Sequence, residues 1–196
     1  MAAMYEIRAN YDNNTIVMYQ AYNDAIADAA IKAQCFVSPF STRRMTWIKP
    51  SFRWLMHRSN WGKKSGQNRI LAVHIHREAW EDALSRGVLT HPEPSIHGSR
   101  EAWREKFEAA SVHVQWDPER SLQGGALDHY SIQVGLTRHL IEEFASSWIT
   151  RIEDLSPLVA KMEQMRQGKG KKHLSRHLPP ERVYPLPEGF GAHLLM

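Results

Sequence analysis

The fold of this chain is decided by the stretch Arg44-Met-Thr-Trp-Ile-Lys-Pro-Ser-Phe-Arg-Trp-Leu-Met-His-Arg-Ser-Asn-Trp-Gly62. Thr46, Trp47 and Ile48 are β-branched or aromatic, and they lead through a Lys-Pro-Ser step into a run with helical apolar spacing. Proline is favoured at the first position of a helix and glycine just beyond its end. The stretch therefore predicts a short strand over residues 44–48, followed by a helix that opens at Pro50 and ends before Gly62.

Lys49 and Ser51 are candidate ligand-binding residues at this strand-to-helix corner. With Pro50 at the first helical position, the backbone N–H groups of Ser51 and Phe52 would be free to point at a ligand. Lys49 adds a full positive charge, and helix N-termini attract anions. The corner therefore predicts a phosphate site, although it does not name a reaction.

Trp47, Arg58 and Trp61 are further candidates on the same stretch. The spacing of Trp54, Arg58 and Trp61 is i, i+4, i+7, which would put an arginine between two indoles on one helix face. Such a guanidinium can stack on the rings or bind a planar anionic ligand, and an indole can stack a base. The alternative is that the aromatic residues belong to the core and that Arg58 forms an ion pair.

The N-terminal region predicts two antiparallel strands, residues 5–11 and 15–22, joined by a turn at Asp12-Asn13-Asn14. Asn23 or Asp24 can cap a following helix over residues 25–34. At the end of the second strand, Tyr19 and Gln20 are ligand candidates, because a buried amide could hold a carboxamide or ribose hydroxyls. The alternative is a structural hydrogen bond.

The central region continues with short strands and helices in irregular alternation. On the last strand, Ser131, Gln133 and Gly135 share one face, which is typical either of a strand that lines a cleft or of a half-exposed sheet. The predicted strands are residues 69–76, 112–116 and 129–135, the predicted helices are residues 78–86, 99–110, 138–147 and 156–168, and residues 90–98 are predicted as a loop.

This pattern predicts an α+β fold of one domain, with a mainly antiparallel mixed sheet and packed helices. We expect a core domain over residues 1–160, a basic loop over residues 161–178, and a Pro-rich C-terminal tail over residues 179–196 that packs on the same domain. The chain has no GxGxxG and no GxxxxGK[ST] loop, which argues against a Rossmann or P-loop nucleotide fold.

Composition and charge limit the class of protein. The chain has 196 residues, 42% of them hydrophobic and 23% charged, and no apolar run long enough to span a membrane. The segment from Lys161 to His177 holds six Lys/Arg and one Glu, a net +5, which leaves −1 for the rest of this +4 chain. That segment is either a solvated loop or a binding site for nucleic acid or an acidic partner.

Cysteine and histidine usage predicts a cytoplasmic protein without a metal. The single Cys35 excludes an intrachain disulfide, and the N-terminus lacks a signal-peptide pattern. His74 and His76 could face one side of a strand, but the sequence nearby offers no evident third ligand. We therefore expect no metal and no membrane association.

Four segments together resemble the family called domain of unknown function 4291. They are Thr15-Ile-Val-Met-Tyr-Gln-Ala-Tyr22, Met45-Thr-Trp-Ile-Lys-Pro-Ser-Phe52 with Trp61-Gly62, Val114-Gln-Trp-Asp-Pro-Glu-Arg120, and Ser131-Ile-Gln-Val-Gly-Leu136. The likeness runs from about residue 5 to residue 187, and the family is known to us as uncharacterised. The resemblance therefore implies where the domain begins and ends, and it implies no mechanism.

The order of elements is also similar to that of ADP-ribosyltransferases, in which three separate strands carry the ligand-binding and catalytic residues. The resemblance puts Tyr19-Gln20, Trp47 to Ser51, and Ser131 to Gln133 in those three places, and it implies NAD as a cofactor. Gln133 takes the place of the expected catalytic Glu, and Arg8 would substitute for an Arg or His missing from the strand at residues 15–22. A neutral amide cannot supply the charge that stabilises an oxocarbenium-like transition state. The likeness to ADP-ribosyltransferases is therefore a likeness in the order of the structural elements.

We therefore expect a cleft for a phosphate-bearing, nucleotide-like small molecule, with NAD as the candidate, in an ADP-ribosyltransferase-like domain. The alternative function is a nucleic-acid or protein-binding module without catalysis that uses the basic segment from Lys161 to His177. If the cleft is absent, the remaining interpretation is that the protein has a purely structural role.

Overall fold

Residues 46–59 form the strand-to-helix unit at the junction of two sheets in the computed structural model, which describes residues 4–137 and 139–196. The side chains of His139 and of residues 169–172 lie outside that description. The strands are β1 (Arg8–Ala9), β2 (Thr15–Tyr22), β3 (Thr46–Ile48), β4 (Arg69–His76), β5 (Val88–Leu89), β6 (Val112–Arg120), β7 (Ala126–Leu136), β8 (Ile149–Asp154) and β9 (Arg182–Val183). The α-helices are α1 (Asp24–Ala33), α2 (Phe52–Ser59), α3 (Arg77–Ser85), α4 (Pro94–His97), α5 (Arg100–Ala109), α6 (His139–Glu143) and α7 (Ser156–Gln167).

Two sheets meet edge to edge at the ends of β2 and β3. One sheet has the order β2-β4-β8 and the other the order β3-β7-β6-β5, with antiparallel pairing except between β5 and β6. A single bridge joins them, in which the Tyr19 N–H donates to the Lys49 carbonyl at 2.7 Å. The predicted α+β single-domain class with a mainly antiparallel, mixed sheet is confirmed.

The sheet of β2, β4 and β8 is buried on both faces, which explains the almost continuous apolar run of β2. Ile16 and Met18 face one hydrophobic cluster, whereas Val17 and Tyr19 face the other. Because side chains alternate along a strand, Tyr19 and Gln20 point to opposite faces. This alternation decides which of the two neighbours can reach a cleft on a given face.

The predicted N-terminal hairpin forms next to its turn, but its first strand pairs with a distant segment farther along. β1 pairs antiparallel with β9 near the C-terminus, with Arg8 opposite Val183. The turn forms because the Asp12 carboxylate accepts from the N–H groups of Asn14 and Thr15. Next to it, an antiparallel bridge joins Tyr11 to Ile16, and the Val17 N–H donates to the Asn10 carbonyl at 2.9 Å. The C-terminal segment supplies the partner strand, and no local pattern marks such a distant pairing.

Local capping signals are confirmed for two helices. Asn23 caps α1 by accepting from the Ile26 N–H, and Ser99 caps α5 by accepting from the Ala102 N–H. The segment predicted as a loop at residues 90–98 contains the short helix α4, which ends before Gly98. The predicted helix over residues 138–147 is α6 continued by a π-helix, Phe144–Trp148.

The C-terminal third packs back on the rest of the chain. α7 ends at Gln167 as predicted, and the basic stretch that follows is a 3-10 helix, Lys169–His177, where an irregular loop was expected. Leu174 anchors this helix in the core near α2 and α7. In the last segment, Tyr184 and Leu194 are buried in the other cluster, so residues 179–196 are part of the same packed unit.

Candidate functional site

A cleft of about 430 Å³ opens where β2 meets β3. The end of β2, the strand β3, the loop before β3 and one face of α2 form its walls. Four of the predicted ligand-binding residues line it, namely Gln20, Trp47, Lys49 and Arg58. The lining also includes Tyr22, Asn23, Phe40, Ser41, Arg44, Thr46 and Gln67.

The charge of the cleft is entirely positive. Arg44, Lys49 and Arg58 contribute to its walls, and none of the residues that line it is an Asp or a Glu. Within residues 4–137 and 139–196, no carboxylate pairs with any of the three cations. Three cations without counter-charges around one concavity favour an anionic ligand.

Lys49 is the most buried of these cations, with 9% of its surface exposed. Its Nζ lies 5.1 Å from the centre of the Trp54 ring. Burial, with a smaller contribution from the nearby Arg58 charge and against the opposing effect of Asp117, lowers the pKa of the Lys49 amine to about 8. A substantial fraction of this amine is therefore neutral just above physiological pH.

Gln20, another residue of the cleft lining, presents an acceptor without a partner among the described residues. Its Nε2 donates to the Tyr22 hydroxyl at 2.9 Å and to the Trp47 carbonyl at 3.3 Å, which fixes the orientation of the amide. Its Oε1 is buried and has no hydrogen-bond partner among the described residues. A buried carbonyl without a donor is costly, so a ligand hydroxyl or amide that entered the cleft would gain a ready partner.

Gln133 lies outside the cleft lining, where it helps to hold a carboxylate that the sequence did not single out. The Asp117 carboxylate accepts from Gln133 Nε2 at 2.6 Å and from Gln115 Nε2 at 2.9 Å. The two glutamines are direct partners across β6 and β7. Asp117 in turn acts electrostatically on Lys49. The only advance signal was that Asp117 falls within a segment that carries the family resemblance.

The helix start beside Lys49 is not the free anion site that the sequence predicted. Pro50 precedes the helix, and Ser51 is its N-cap, whose hydroxyl accepts from the Trp54 N–H at 3.1 Å. The Phe52 N–H donates to Glu181 at 2.7 Å, so a carboxylate from the C-terminal segment takes the place expected for a phosphate. The prediction that the Phe52 N–H is free is therefore wrong.

Trp61 and Tyr19 face other parts of the molecule. The helix α2 ends at Ser59, and Asn60 and Trp61 adopt left-handed backbone angles, so Trp61 does not share a helix face with Trp54 and Arg58 as predicted. Trp61 instead packs beneath the guanidinium of Arg166. Tyr19 packs edge-on against Phe52 in the core, where burial raises the pKa of its hydroxyl.

Arg8 also lies apart from the cleft. On β1 it pairs with Glu6, whose carboxylate accepts from the Arg8 Nε at 2.6 Å. The roles predicted for Arg8, Gln133, Tyr19, Ser51 and Trp61 stay predictions, and the structure brings none of these side chains into the cleft lining.

Gly135 gives Trp47 its place in the cleft wall. The two residues are partners across β3 and β7, and a Cβ added to Gly135 would lie 2.9 Å from the Met45 sulfur and 3.1 Å from two Trp47 ring atoms. We expect Gly135→Ala to lower the free energy of unfolding by roughly 1–3 kcal/mol, because the half-buried, rigid Trp47 indole has to move. Urea unfolding measures this loss.

The matched control for that substitution is Gly125→Ala. Gly125 is exposed, and the nearest atom to an added Cβ there is the Ser121 hydroxyl at 3.5 Å, an ordinary contact distance. We expect a change within about 0.5 kcal/mol. Equal losses in the two variants would contradict the packing of Gly135 against Trp47.

The basic segment is described only in part. Lys161 and Arg176 are exposed and have no ion-pair partner in the described part of the chain, whereas Arg166 pairs with Glu163. The side chains of Lys169, Lys171 and Lys172 lie outside the described residues. The predicted binding of nucleic acid or an acidic partner at residues 161–177 stays a prediction.

No metal site or membrane span emerges from the residues that the structure describes. His74 Nε2 lies 2.7 Å from a Glu153 oxygen, and no group of three or more His, Cys, Asp or Glu side chains converges within the described ranges. The helices in those ranges are all too short or too polar to cross a membrane.

The chain matches a known protein family. The family described as Domain of unknown function (DUF4291) matches residues 6–184, almost the whole chain. A comparison with curated proteins gives no match.

Proposed function

Because the chain belongs to the DUF4291 family, whose description assigns no activity, we propose from the site itself that the cleft between β2 and β3 binds a phosphate-bearing nucleotide. The observation that carries the proposal is the set of three cations, Arg44, Lys49 and Arg58, which form no ion pair with any described residue and line a cleft whose lining includes no Asp or Glu. Phosphates are recognised by such cations, and arginine adds a planar, bidentate geometry.

The rest of the lining suits the remainder of a nucleotide. Tyr22, Phe40 and Trp47 offer aromatic surfaces on which a base can stack. The unpaired Gln20 carbonyl can accept a hydrogen bond from a ribose hydroxyl or a carboxamide. A volume of about 430 Å³ falls within the usual range for small-molecule sites.

NAD is the first nucleotide to test, and an ADP-ribosyltransferase-like activity is the corresponding proposal. The support is topological, since the three segments that the resemblance singles out lie on neighbouring strands. β2 carries Gln20 and is bridged to Lys49 just after β3, and β3 pairs with β7, which carries Gln133. Asp117, held by Gln133, would supply the negative charge near the cleft that the Gln133 amide lacks.

Calorimetric titration with NAD, ADP-ribose and ADP tests the binding proposal. We expect saturable binding to the wild type, and a loss of about tenfold in affinity for Arg58→Gln and for Arg44→Gln, the equivalent of about 1.4 kcal/mol for one charge-assisted contact. Arg43→Gln is the matched control, because Arg43 is an exposed neighbour that does not line the cleft. It should bind like the wild type.

Two results would reject the nucleotide cleft. The first is an absence of binding heat with all three ligands, and the second is an equal loss of affinity in Arg43→Gln and Arg44→Gln. Salt-dependent binding of single-stranded RNA that disappears when Lys161 and Arg176 are neutralised would favour the alternative function instead. Release of nicotinamide from NAD, measured with the same variants, tests the transferase activity separately.

A further inference from the structure

The Lys49 amine is unlike the other lysines whose side chains the structure describes. Lys32, Lys64, Lys106 and Lys161 are exposed, and Lys63 is half exposed and bonded to Glu163 at 2.5 Å. Lys49 alone in that set is buried, and it still reaches a solvent-connected cleft. It combines access for a small molecule with poor access to water.

The surroundings of Lys49 favour the neutral, nucleophilic form of its amine. Burial keeps water from the amine, and the Arg58 charge on α2 repels an ammonium. Together they outweigh the attraction of the Trp54 ring, 5.1 Å away, for the charged form. On β6, Asp117 is the carboxylate that acts on Lys49, and it is already bonded to two glutamine amides. Lysines activated in this way, by an apolar setting and a neighbouring cation, form imines with carbonyl compounds.

The same cleft can hold the rest of an aldehyde ligand. Arg44 and Arg58 lack carboxylate partners and can bind a phosphate group close to Lys49. The buried Gln20 carbonyl lacks a donor and can accept from a hydroxyl group. A hydroxylated, phosphorylated aldehyde requires an amine, a pair of anion-binding residues and a hydroxyl acceptor around one cavity.

We propose that Lys49 is a covalent site that forms an imine with phosphorylated aldehydes. The inference rests on the part of the proposed function that makes the cleft an acceptor of phosphate-bearing ligands. The Nζ lone pair attacks the carbonyl carbon to give a carbinolamine, in which the former carbonyl oxygen has gained a proton. The C–O bond then breaks and the oxygen leaves as water, so that a C=N bond remains and no atom is oxidised or reduced.

Trapping with pyridoxal 5′-phosphate and borohydride tests the proposal, since borohydride reduces an imine to a stable amine. We expect peptide mapping to find the adduct mainly on Lys49, at least tenfold above any exposed lysine, at pH 7.5. An amine of pKa about 8 has a neutral fraction near pH 7 more than a hundredfold that of an ordinary lysine. The labelling rate should accordingly level off above about pH 8.

Pyridoxal without the phosphate is the matched reagent control. We expect it to label Lys49 at least tenfold more slowly, because Arg44 and Arg58 no longer hold it. Labelling spread evenly over Lys32, Lys63, Lys64 and Lys49, or labelling that ignores the phosphate, would overturn the proposal. A rate that keeps rising up to pH 10 would overturn it as well.

Two variants separate this proposal from nucleotide binding. Lys49→Arg keeps a positive charge but cannot form an imine, so it should lose the adduct completely, whereas its nucleotide affinity should fall less than that of Lys49→Met. Lys49→Met, checked by circular dichroism for folding, should lose both the adduct and part of the affinity. Failure of labelling in a protein that binds nucleotide rejects the imine site alone, whereas labelling without nucleotide binding rejects the nucleotide as ligand.

Discussion

Glu181→Gln should remove a large part of the pH dependence of stability and should stabilise the protein at alkaline pH. The Glu181 carboxyl accepts from the Phe52 N–H at the start of α2. Burial raises its pKa to about 8, and the nearby Glu119 charge adds to this, while the Phe52 hydrogen bond, Arg53 and Arg8 oppose it. The protonated carboxyl therefore fits the fold better than the carboxylate does.

The direction of the effect follows from proton binding. Between the ordinary glutamate pKa of 4.5 and the folded-state pKa of about 8, the folded chain holds a proton at Glu181 that the unfolded chain has released. The stability contributed by this group is therefore fully present below about pH 4.5 and is lost as the pH rises through about 8. We expect the Glu181→Gln curve to rise above the wild-type curve by on the order of 2 kcal/mol between pH 5 and pH 8.5.

Urea unfolding across that pH range measures the difference, and Glu188→Gln is the matched control. Glu188 lies in the same C-terminal segment but is exposed. Its variant should follow the wild-type pH curve within about 0.5 kcal/mol. If the Glu181→Gln and wild-type curves ran parallel, Glu181 would not be the buried acid that holds the C-terminal segment against α2.

Trp80→Ala should cause the largest loss of stability among the substitutions considered, about 3–5 kcal/mol. Trp80 on α3 is the largest side chain that is fully buried, with 0% exposure, and it lies in the core cluster that the β2 residues Ile16 and Met18 also face. Truncation removes the apolar contacts of the whole indole and leaves a cavity that the packed sheet cannot fill by small movements.

Trp80→Phe distinguishes lost packing from lost hydrogen bonding. The Trp80 indole N–H is buried and has no acceptor among the described residues, so the phenyl ring removes an unsatisfied donor while keeping much of the volume. We expect this variant to lose less than half as much free energy of unfolding as Trp80→Ala, measured by urea unfolding. An equal loss would show that the indole N–H has a stabilising partner.

Much of the local structure could be predicted because it depends on neighbouring residues. Strand β4 spans residues 69–76 as the apolar pattern indicated, and the caps at Asn23 and Ser99 sit where the sequence put them. These features arise from alternation along a strand and from a side chain that bonds a backbone N–H three residues ahead. Both are visible within a window of a few residues.

Apart from the early end of α2 before Trp61, the errors described here involve partners that are distant in sequence. Glu181 bonds the Phe52 N–H from 129 residues away, and β9 takes the place beside β1 that the hairpin prediction gave to β2. Asp117 becomes part of the site only because β6 pairs with β7 and places Gln115 opposite Gln133. Such pairings depend on the packing of the whole chain and leave no short-range pattern.

The sequence by itself determined that a strand runs into a helix around Lys49. It also indicated four candidates for one site, and the structure places all four around one cleft, namely Gln20, Trp47, Lys49 and Arg58. Only the tertiary structure decided that the cations of the cleft wall, and not the start of α2, are available to an anion. The physical reason is that a helix N-terminus binds whichever carboxylate or ligand the fold brings to it. Here the C-terminal segment brings Glu181 to α2, whereas Arg44, Lys49 and Arg58 are brought together without any carboxylate.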